Sequence, residues 1–106
     1  MLDRLFSPLR LGPVEIRNRV VSTSHQTSLV HDHLPTEDLV AYHRARAAGG
    51  AGLIVVEATA VHPTGLLTAH TIGGYLPEIV PVWRRMSAAV QEHGTRLMCQ
   101  LFHGCR

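Results

Sequence analysis

The chain contains three strand candidates that each turn polar at the C-terminal end, and a helical pattern follows each of the first two. The strand candidates are residues 18–23, 53–56 and 96–101, and the polar ends are Ser24–Ser28, Glu57–Thr59 and Gln100 with His103. This alternation is typical of parallel βα units. Such units build a (β/α)8 TIM barrel, which needs about 250 residues to close. Because the chain has 106 residues, we expect an α/β fold in which a barrel is begun and left incomplete.

A short hairpin is predicted ahead of the first strand. Residues Leu9–Ile16 alternate between apolar and polar on both sides of Gly12-Pro13, a pair that marks a turn. The first helix is expected from Glu37 to about Ala48, with Thr36 as its N-cap and Gly49-Gly50 as its end. The sequence therefore predicts a hairpin followed by about three parallel strands with two intervening helices.

Each of the two predicted helices has a pattern of residues suited to packing. In the first, Ala41, Ala45 and Ala48 form a stripe of small residues, with Leu39 and Tyr42 beside it, that is suited to close packing on a sheet. The second, from about Glu78 to His93, is the clearest element, because its apolar residues recur at helical spacing. Those apolar residues are Ile79, Val82, Trp83, Met86, Ala89 and Val90.

The remaining segments are predicted to be buried strands or loops. Leu53–Val56 is a continuous apolar run, as in parallel strands that are buried on both faces. Residues 96–101 have the same character and are also expected to be buried. The segments His31–Pro35 and His62–Tyr75 are predicted to be loops, and a loop as long as the second is usually functional or mobile.

Composition and charge exclude several classes of protein. With 45% hydrophobic residues, the chain has the content of a globular protein and not of a disordered one. Its net charge of +2 comes from scattered arginines, so we expect no nucleic-acid partner. There is no apolar run of membrane-spanning length, and we expect no membrane partner. The two cysteines, Cys99 and Cys105, are too few for the disulfide framework of a small secreted domain, which favours a cytoplasmic protein with reduced thiols.

The three polar strand ends predict a ligand site. In parallel α/β folds, ligands bind outside the carboxyl ends of the strands, where the connecting loops converge. Taken from the residues alone, Gln100 is either a ligand-binding amide or a strand-end residue satisfied by backbone. Glu57 is interpreted as a structural carboxylate paired with an arginine. Gly49–Gly52 is interpreted as a helix stop, because phosphate-binding loops connect strand to helix and this segment connects helix to strand.

A metal site is the alternative use of the eight histidines. His31-Asp32-His33 places two imidazoles and a carboxylate in one loop, but no second cluster with zinc-like spacing accompanies it. We therefore interpret this segment as a solvated loop and expect no metal. Two cysteines are also fewer than the four thiolates of a typical iron–sulfur site.

Several short motifs occur in order along nearly the whole chain. They are Leu5–Leu9 with Gly12, Ile16–Val20, Tyr42 with Arg44–Arg46, Gly49–Ile54, Glu57–Val61, Pro63–Gly65, His93-Gly94 and Gln100–Gly104. Together they resemble the Old Yellow Enzyme and 2,4-dienoyl-CoA reductase class of FMN oxidoreductases, a family of TIM barrels. The resemblance implies that residues 1–106 are the N-terminal part of an FMN-binding TIM-barrel oxidoreductase domain.

The same resemblance implies a set of flavin contacts. Gln100 is expected to hydrogen-bond the pyrimidine edge of the flavin, since a primary amide offers both an acceptor and a donor. Ala58 falls where the family places a small residue against the ring. Ser24, His25 and Gln26 occupy the segment that touches the flavin near its reactive edge. The chain differs from many members at Gln26, where they have threonine or cysteine, at Ser24, where they have proline, and at Cys105, where they have a small residue.

The implied activity is hydride transfer from reduced FMN to an activated alkene or similar small-molecule acceptor, with NAD(P)H as the reductant. The family's substrate-anchoring pair, proton-donating tyrosine and phosphate-binding loops lie on later strands, and any iron–sulfur cluster lies beyond the region present here. We therefore expect residues 1–106 alone to be inactive and to bind FMN weakly or not at all. Two alternatives remain open. One is a non-catalytic barrel remnant that assembles with another chain or as a homo-oligomer, and the other is a histidine-based metal-binding module.

Overall fold

The computed structural model describes residues 2–104, so Cys105 lies outside the described part. The strands are β1 (Leu9–Leu11), β2 (Val14–Ile16), β3 (Val21–Ser22), β4 (Val30–His31), β5 (Leu34–Pro35), β6 (Leu53–Ala60), β7 (Ile72–Gly73) and β8 (Arg96–Phe102). The helices are α1 (Glu37–Ala48) and α2 (Ile79–Gln91), and a 3-10 turn spans Pro63–Gly65. No helix among residues 2–104 combines the length and apolar character needed to cross a membrane.

A parallel sheet forms the centre of the fold. β6 lies between β3 and β8 and is parallel to both, and β7 pairs with the C-terminal end of β6. The predicted hairpin is present as the antiparallel pair β1 and β2, with Gly12 at φ +59° in its turn. The predicted α/β class with parallel βα units is therefore confirmed.

The hydrophobic core lies between the sheet and the two helices. Its main cluster consists of Val30, Leu39, Val40, Val56, Ile72, Ile79, Met86 and Ala89, with Trp83 and Leu97 partly buried against it. The helical spacing predicted for the second helix is confirmed, because Ile79, Val82, Met86, Ala89 and Val90 are all buried. The shared burial of this apolar surface is what holds the helices on the sheet.

The first helix begins as predicted but packs through a different face. The Thr36 side chain accepts a hydrogen bond from the backbone N–H of Leu39, which caps the helix. The alanine stripe predicted to pack on the sheet (Ala41, Ala45 and Ala48) is exposed, so that prediction is wrong. The buried face is instead Leu39, Val40, His43 and Ala47. Turning this face inward removes more apolar area from water than burying alanine methyl groups would.

Two of the predicted loops contain strands. In the segment predicted as the loop His31–Pro35, β4 and β5 form a tight hairpin whose central residues, Asp32 and His33, have φ of 49° and 62°. Positive φ at both central positions matches a hairpin turn, and aspartate tolerates that conformation better than most residues. Within the predicted loop 62–75, β7 pairs with β6, and the Gly73 N–H donates to the His33 carbonyl at 2.8 Å.

The second and third predicted strands also differ from expectation. β6 continues through Glu57, Ala58 and Thr59 to Ala60, with a register shift between Val56 and Ala58. β8 was predicted to be buried, yet most of its residues are exposed. Within residues 2–104 it pairs with β6 alone. Its second edge therefore has no strand beside it in the described part, which explains the exposure.

Candidate functional site

Three of the five predicted flavin-contact residues meet at the carboxyl end of the sheet. Ser24 follows β3, and its hydroxyl donates a hydrogen bond to Gln100 Oε1 on β8 at 2.9 Å. Ala58 of β6 is the register partner of Gln100. Partners on adjacent parallel strands project to the same face of a sheet. The structure therefore brings the hydroxyl, the amide and the small side chain together across β6.

The other two predicted flavin contacts, His25 and Gln26, form hydrogen bonds with residues outside this group. The His25 ring bonds to the Thr23 carbonyl at 2.8 Å through Nδ1 and to the Tyr42 hydroxyl through Nε2. The Gln26 amide donates to Thr68 Oγ1 at 3.0 Å. His25 is thus tied to α1, and Gln26 is tied to the loop that follows β6.

A small cavity of about 30 Å3 lies next to Ala58. It is lined by Gln26, Glu57, Ala58, Leu67, His70, Thr71 and Phe102. Its size suits a single water molecule and not a larger ligand. The lining shows that the loop after β6 belongs to this end of the sheet. Its length was the only sequence signal of this role, because no motif marked Thr68 or His70.

Glu57 is a buried carboxylate, with only 2% of its surface exposed. Its partner is Thr27, whose hydroxyl donates to Oε1 at 2.6 Å and whose backbone N–H lies 3.3 Å from Oε2. The structural role predicted for Glu57 agrees with this geometry, but the predicted arginine partner is wrong. Two hydrogen bonds from one residue satisfy the carboxylate without a buried cation. They also tie the segment after β3 to β6, and so help to fix the position of Ser24.

Replacing Thr27 with valine is expected to destabilise the chain by about 2 kcal/mol, because a buried carboxylate would lose its shortest hydrogen bond. Valine keeps the branched shape of threonine, so the loss of stability measures the contribution of the hydroxyl. Urea unfolding followed by circular dichroism measures the change. Thr27→Ser, which keeps the hydroxyl, is the matched control and should lose less than half as much. Equal stability of the valine variant and the wild type would contradict the role given to this bond.

The histidines of the predicted metal alternative are dispersed. His31 contacts Asp32 at 3.4 Å, and both side chains are more than four-fifths exposed. His62 and His103 each bond to the Thr64 hydroxyl at 2.8 Å. No group of three or more His, Cys, Asp or Glu side chains that could hold a metal ion occurs in the described part of the chain.

Comparison with known proteins places this arrangement in a family. The model of the NADH:flavin oxidoreductase / NADH oxidase family matches residues 4–106. An NADPH dehydrogenase of Listeria monocytogenes is 34% identical over 107 residues, a match that covers 99% of this chain and 32% of the relative. A multifunctional alkene reductase/demethylase OYE of Caballeronia cordobensis is 35% identical, and the match covers 95% of this chain and 15% of that protein.

Solved structures show the same relation. The Old Yellow Enzyme TcOYE, in a structure with pHBA, superposes with a TM-score of 0.87 at 32% identity, covering 95% of this chain and 27% of that one. Morphinone reductase superposes with a TM-score of 0.86 at 34% identity, covering 93% of this chain and 26% of that one. The parallel strands and helices therefore match the N-terminal part of these barrels. The chain spans about a third of the Listeria relative's length, and it belongs to the NADH:flavin oxidoreductase / NADH oxidase family.

Proposed function

We propose that residues 1–106 supply the part of an FMN-dependent oxidoreductase of the Old Yellow Enzyme type that contacts the flavin ring. The observation that carries this proposal is the meeting of Ser24, Ala58 and Gln100 at the carboxyl end of the sheet. Family membership and the name NADPH dehydrogenase given to a relative support FMN as cofactor and NAD(P)H as reductant.

The donors present fit the edge of a flavin. Gln100 is exposed, and within residues 2–104 its amide nitrogen makes no hydrogen bond. The Ser24 hydroxyl donates to one lone pair of Oε1, which leaves the second lone pair and both N–H groups available. In this arrangement the amide oxygen of Gln100 faces Ser24 and the NH2 group points away from it. Gln100 can therefore offer a donor and an acceptor side by side.

Ala58 supplies the space that a flat ring requires. Its side chain is a single methyl group, is partly exposed, and lies beside Gln100 in the register of β6 and β8. A larger side chain at this position would cover the amide of Gln100. When bound, FMN would supply hydride transfer to an activated alkene or similar acceptor. Gln100 and Ser24 would bind and orient the ring, and the Thr27–Glu57 bonds would hold the segment that carries Ser24.

The test is a chimera in which residues 1–106 replace the aligned 107 residues of the Listeria NADPH dehydrogenase. We expect the purified chimera to retain FMN, measured by flavin absorbance per mole of protein, and residues 1–106 alone to retain little. Gln100→Leu in the chimera should weaken FMN binding by about tenfold, as expected from the loss of hydrogen bonds to the ring. Ala58→Leu should weaken it further by occupying the ring's space.

Gln91→Leu is the matched control, because Gln91 lies at the end of α2, away from the strand ends. It should leave FMN content unchanged. A chimera that folds, judged by circular dichroism, but holds no FMN would contradict the proposed function. Near-stoichiometric flavin bound to residues 1–106 alone would contradict the expectation that this segment needs the phosphate-binding loops.

A further inference from the structure

The hydrogen bonds of His25 define which of its ring nitrogens carries the proton. Nδ1 lies 2.8 Å from the carbonyl oxygen of Thr23, which can only accept, so Nδ1 must be protonated and donate. In a neutral imidazole the other nitrogen then has a free lone pair. Nε2 must therefore accept the hydrogen bond that joins it to the Tyr42 hydroxyl, at 2.5 Å. The Thr23 carbonyl thus holds the neutral ring as the Nδ1–H tautomer, the less favoured form of the histidine side chain in water, and the Tyr42 hydroxyl holds the ring from the other side.

Tyr42 is itself held in place by the next turn of α1. The guanidinium carbon of Arg46 lies 3.4 Å from the centroid of the Tyr42 ring, and the Arg46 Nη1 donates to the Tyr42 carbonyl at 3.2 Å. A cation over the face of an aromatic ring is attracted to it, so Arg46 helps to hold the Tyr42 ring in place. The Tyr42 and His25 rings meet edge to face, at an interplanar angle of 61°. Arg46, Tyr42 and His25 thus form one continuous contact from α1 to the end of β3.

We propose that the Thr23 carbonyl selects the Nδ1–H tautomer of His25 and that Tyr42, fixed by Arg46, is the positioning residue that holds the ring by donating to Nε2, so that no ring N–H is free. His25 then presents only carbon edges and its ring face to a ligand at the strand ends. The donor for a ligand carbonyl is Gln100, whose amide N–H groups are open. This inference rests on the proposed function only in that His25 belongs to the segment proposed to contact the flavin.

The test is the tautomeric state of His25, read from long-range proton–nitrogen NMR spectra of the 106-residue chain labelled with 15N and recorded without flavin. The His25 signals are assigned by their loss in His25→Gln. We expect a protonated, pyrrole-like Nδ1 and an unprotonated, pyridine-like Nε2. In Tyr42→Phe the ring remains but the donor is lost. Nδ1 should stay protonated through the Thr23 carbonyl, and the Nε2 signal should move toward that of a pyridine-like nitrogen with no hydrogen bond.

Tyr75→Phe is the matched control, since it removes the chain's second phenol hydroxyl from a residue outside this contact. It should leave the His25 spectrum unchanged. A wild-type spectrum dominated by the Nε2–H tautomer, or an unchanged spectrum in Tyr42→Phe, would overturn the proposal. Because no flavin is present, the outcome is independent of FMN binding by the chimera, and the two proposals can fail separately.

Discussion

Lowering the pH from about 7 to 4 is expected to cost this chain about 3 kcal/mol of stability through His43 alone. His43 lies in the buried face of α1 with 2% of its surface exposed, and neither ring nitrogen has a hydrogen-bond partner in the described part of the chain. Burial, with smaller contributions from the nearby Arg46 and His25, lowers the pKa of His43 from 6.5 to about 4. A shift of this size corresponds to about 3 kcal/mol.

Stability falls on acidification because the unfolded and the folded chain take up a proton at His43 at different pH values. Below pH 6.5 the unfolded chain binds a proton at His43, while the folded chain does not until about pH 4. Acidification therefore favours the unfolded state across this window, and the stability is fully present only above the unfolded pKa. Carboxylates also titrate as the pH falls toward 4. The contribution of His43 is therefore the difference between the wild type and a variant that lacks this imidazole.

Two variants distinguish the effect of protonating His43 from the effect of packing its side chain. His43→Gln keeps a buried polar side chain but cannot be protonated, so its stability should fall less than that of the wild type as the pH drops. His43→Leu should show the same flattening and, in addition, gain about 1 kcal/mol at pH 7.5, because no polar atom is left without a partner. Urea unfolding at several pH values gives these curves. Wild-type and variant curves that run parallel would show that His43 does not titrate in this window.

Gly52→Ala is expected to destabilise the chain by about 3 kcal/mol or prevent folding. A Cβ atom at Gly52 would meet the side-chain oxygen of Asn18 and lie 2.5 Å from the Asn18 backbone oxygen. This backbone cannot move freely, because Asn18 is buried and its amide donates to the Gly50 carbonyl at 2.8 Å. The Gly52 N–H also donates to the Val20 carbonyl at 2.9 Å. Forcing a methyl group into such a contact costs more than it gains in burial.

Gly49→Ala is the control three residues away. Gly49 closes α1 with φ −73°, which alanine adopts without strain, and a Cβ there would lie 3.4 Å from its nearest neighbour, the Ala45 carbonyl oxygen. We expect this variant to keep or raise the melting temperature, since alanine reduces the freedom of the unfolded chain. Thermal unfolding of both variants measures the contrast. Equal melting temperatures for Gly52→Ala and the wild type would contradict this prediction, because they would show that Asn18 moves to accommodate the added methyl group.

The elements that could be predicted are those with a local signal. α2 was predictable because its apolar residues repeat at helical spacing, and α1 began where Thr36 offered a cap. The buried face of α1 could not be predicted, because its apolar residues show little periodicity. Only packing against the sheet decides which side of the helix turns inward. β7 was also missed. It has two residues, and it is a strand only because β6 lies beside it.

In the candidate site, too, some features could be predicted from the sequence and others could not. Ser24, Ala58 and Gln100 could be proposed from the motifs, and the structure brings them together. Whether these residues contact a flavin stays a prediction. The partner of Glu57 could not be read from the sequence, because Thr27 is thirty positions away and carries no motif of its own. Thr68 and His70 reach the site through a loop whose path depends on β7.

The sequence by itself determined the resemblance to the family, the order of the two helices and the main parallel strands, and the residue types at the strand ends, because these depend on local spacing and on motifs read along the chain. Only the tertiary structure decided that His43 is buried without a hydrogen-bond partner among residues 2–104, that Thr27 holds Glu57, and that the His25 ring lies between the Thr23 carbonyl and the Tyr42 hydroxyl. These are relations between residues distant in sequence or between orientations of side chains. Burial and hydrogen bonding are properties of a packed environment, and that environment exists only once the strands and helices are assembled.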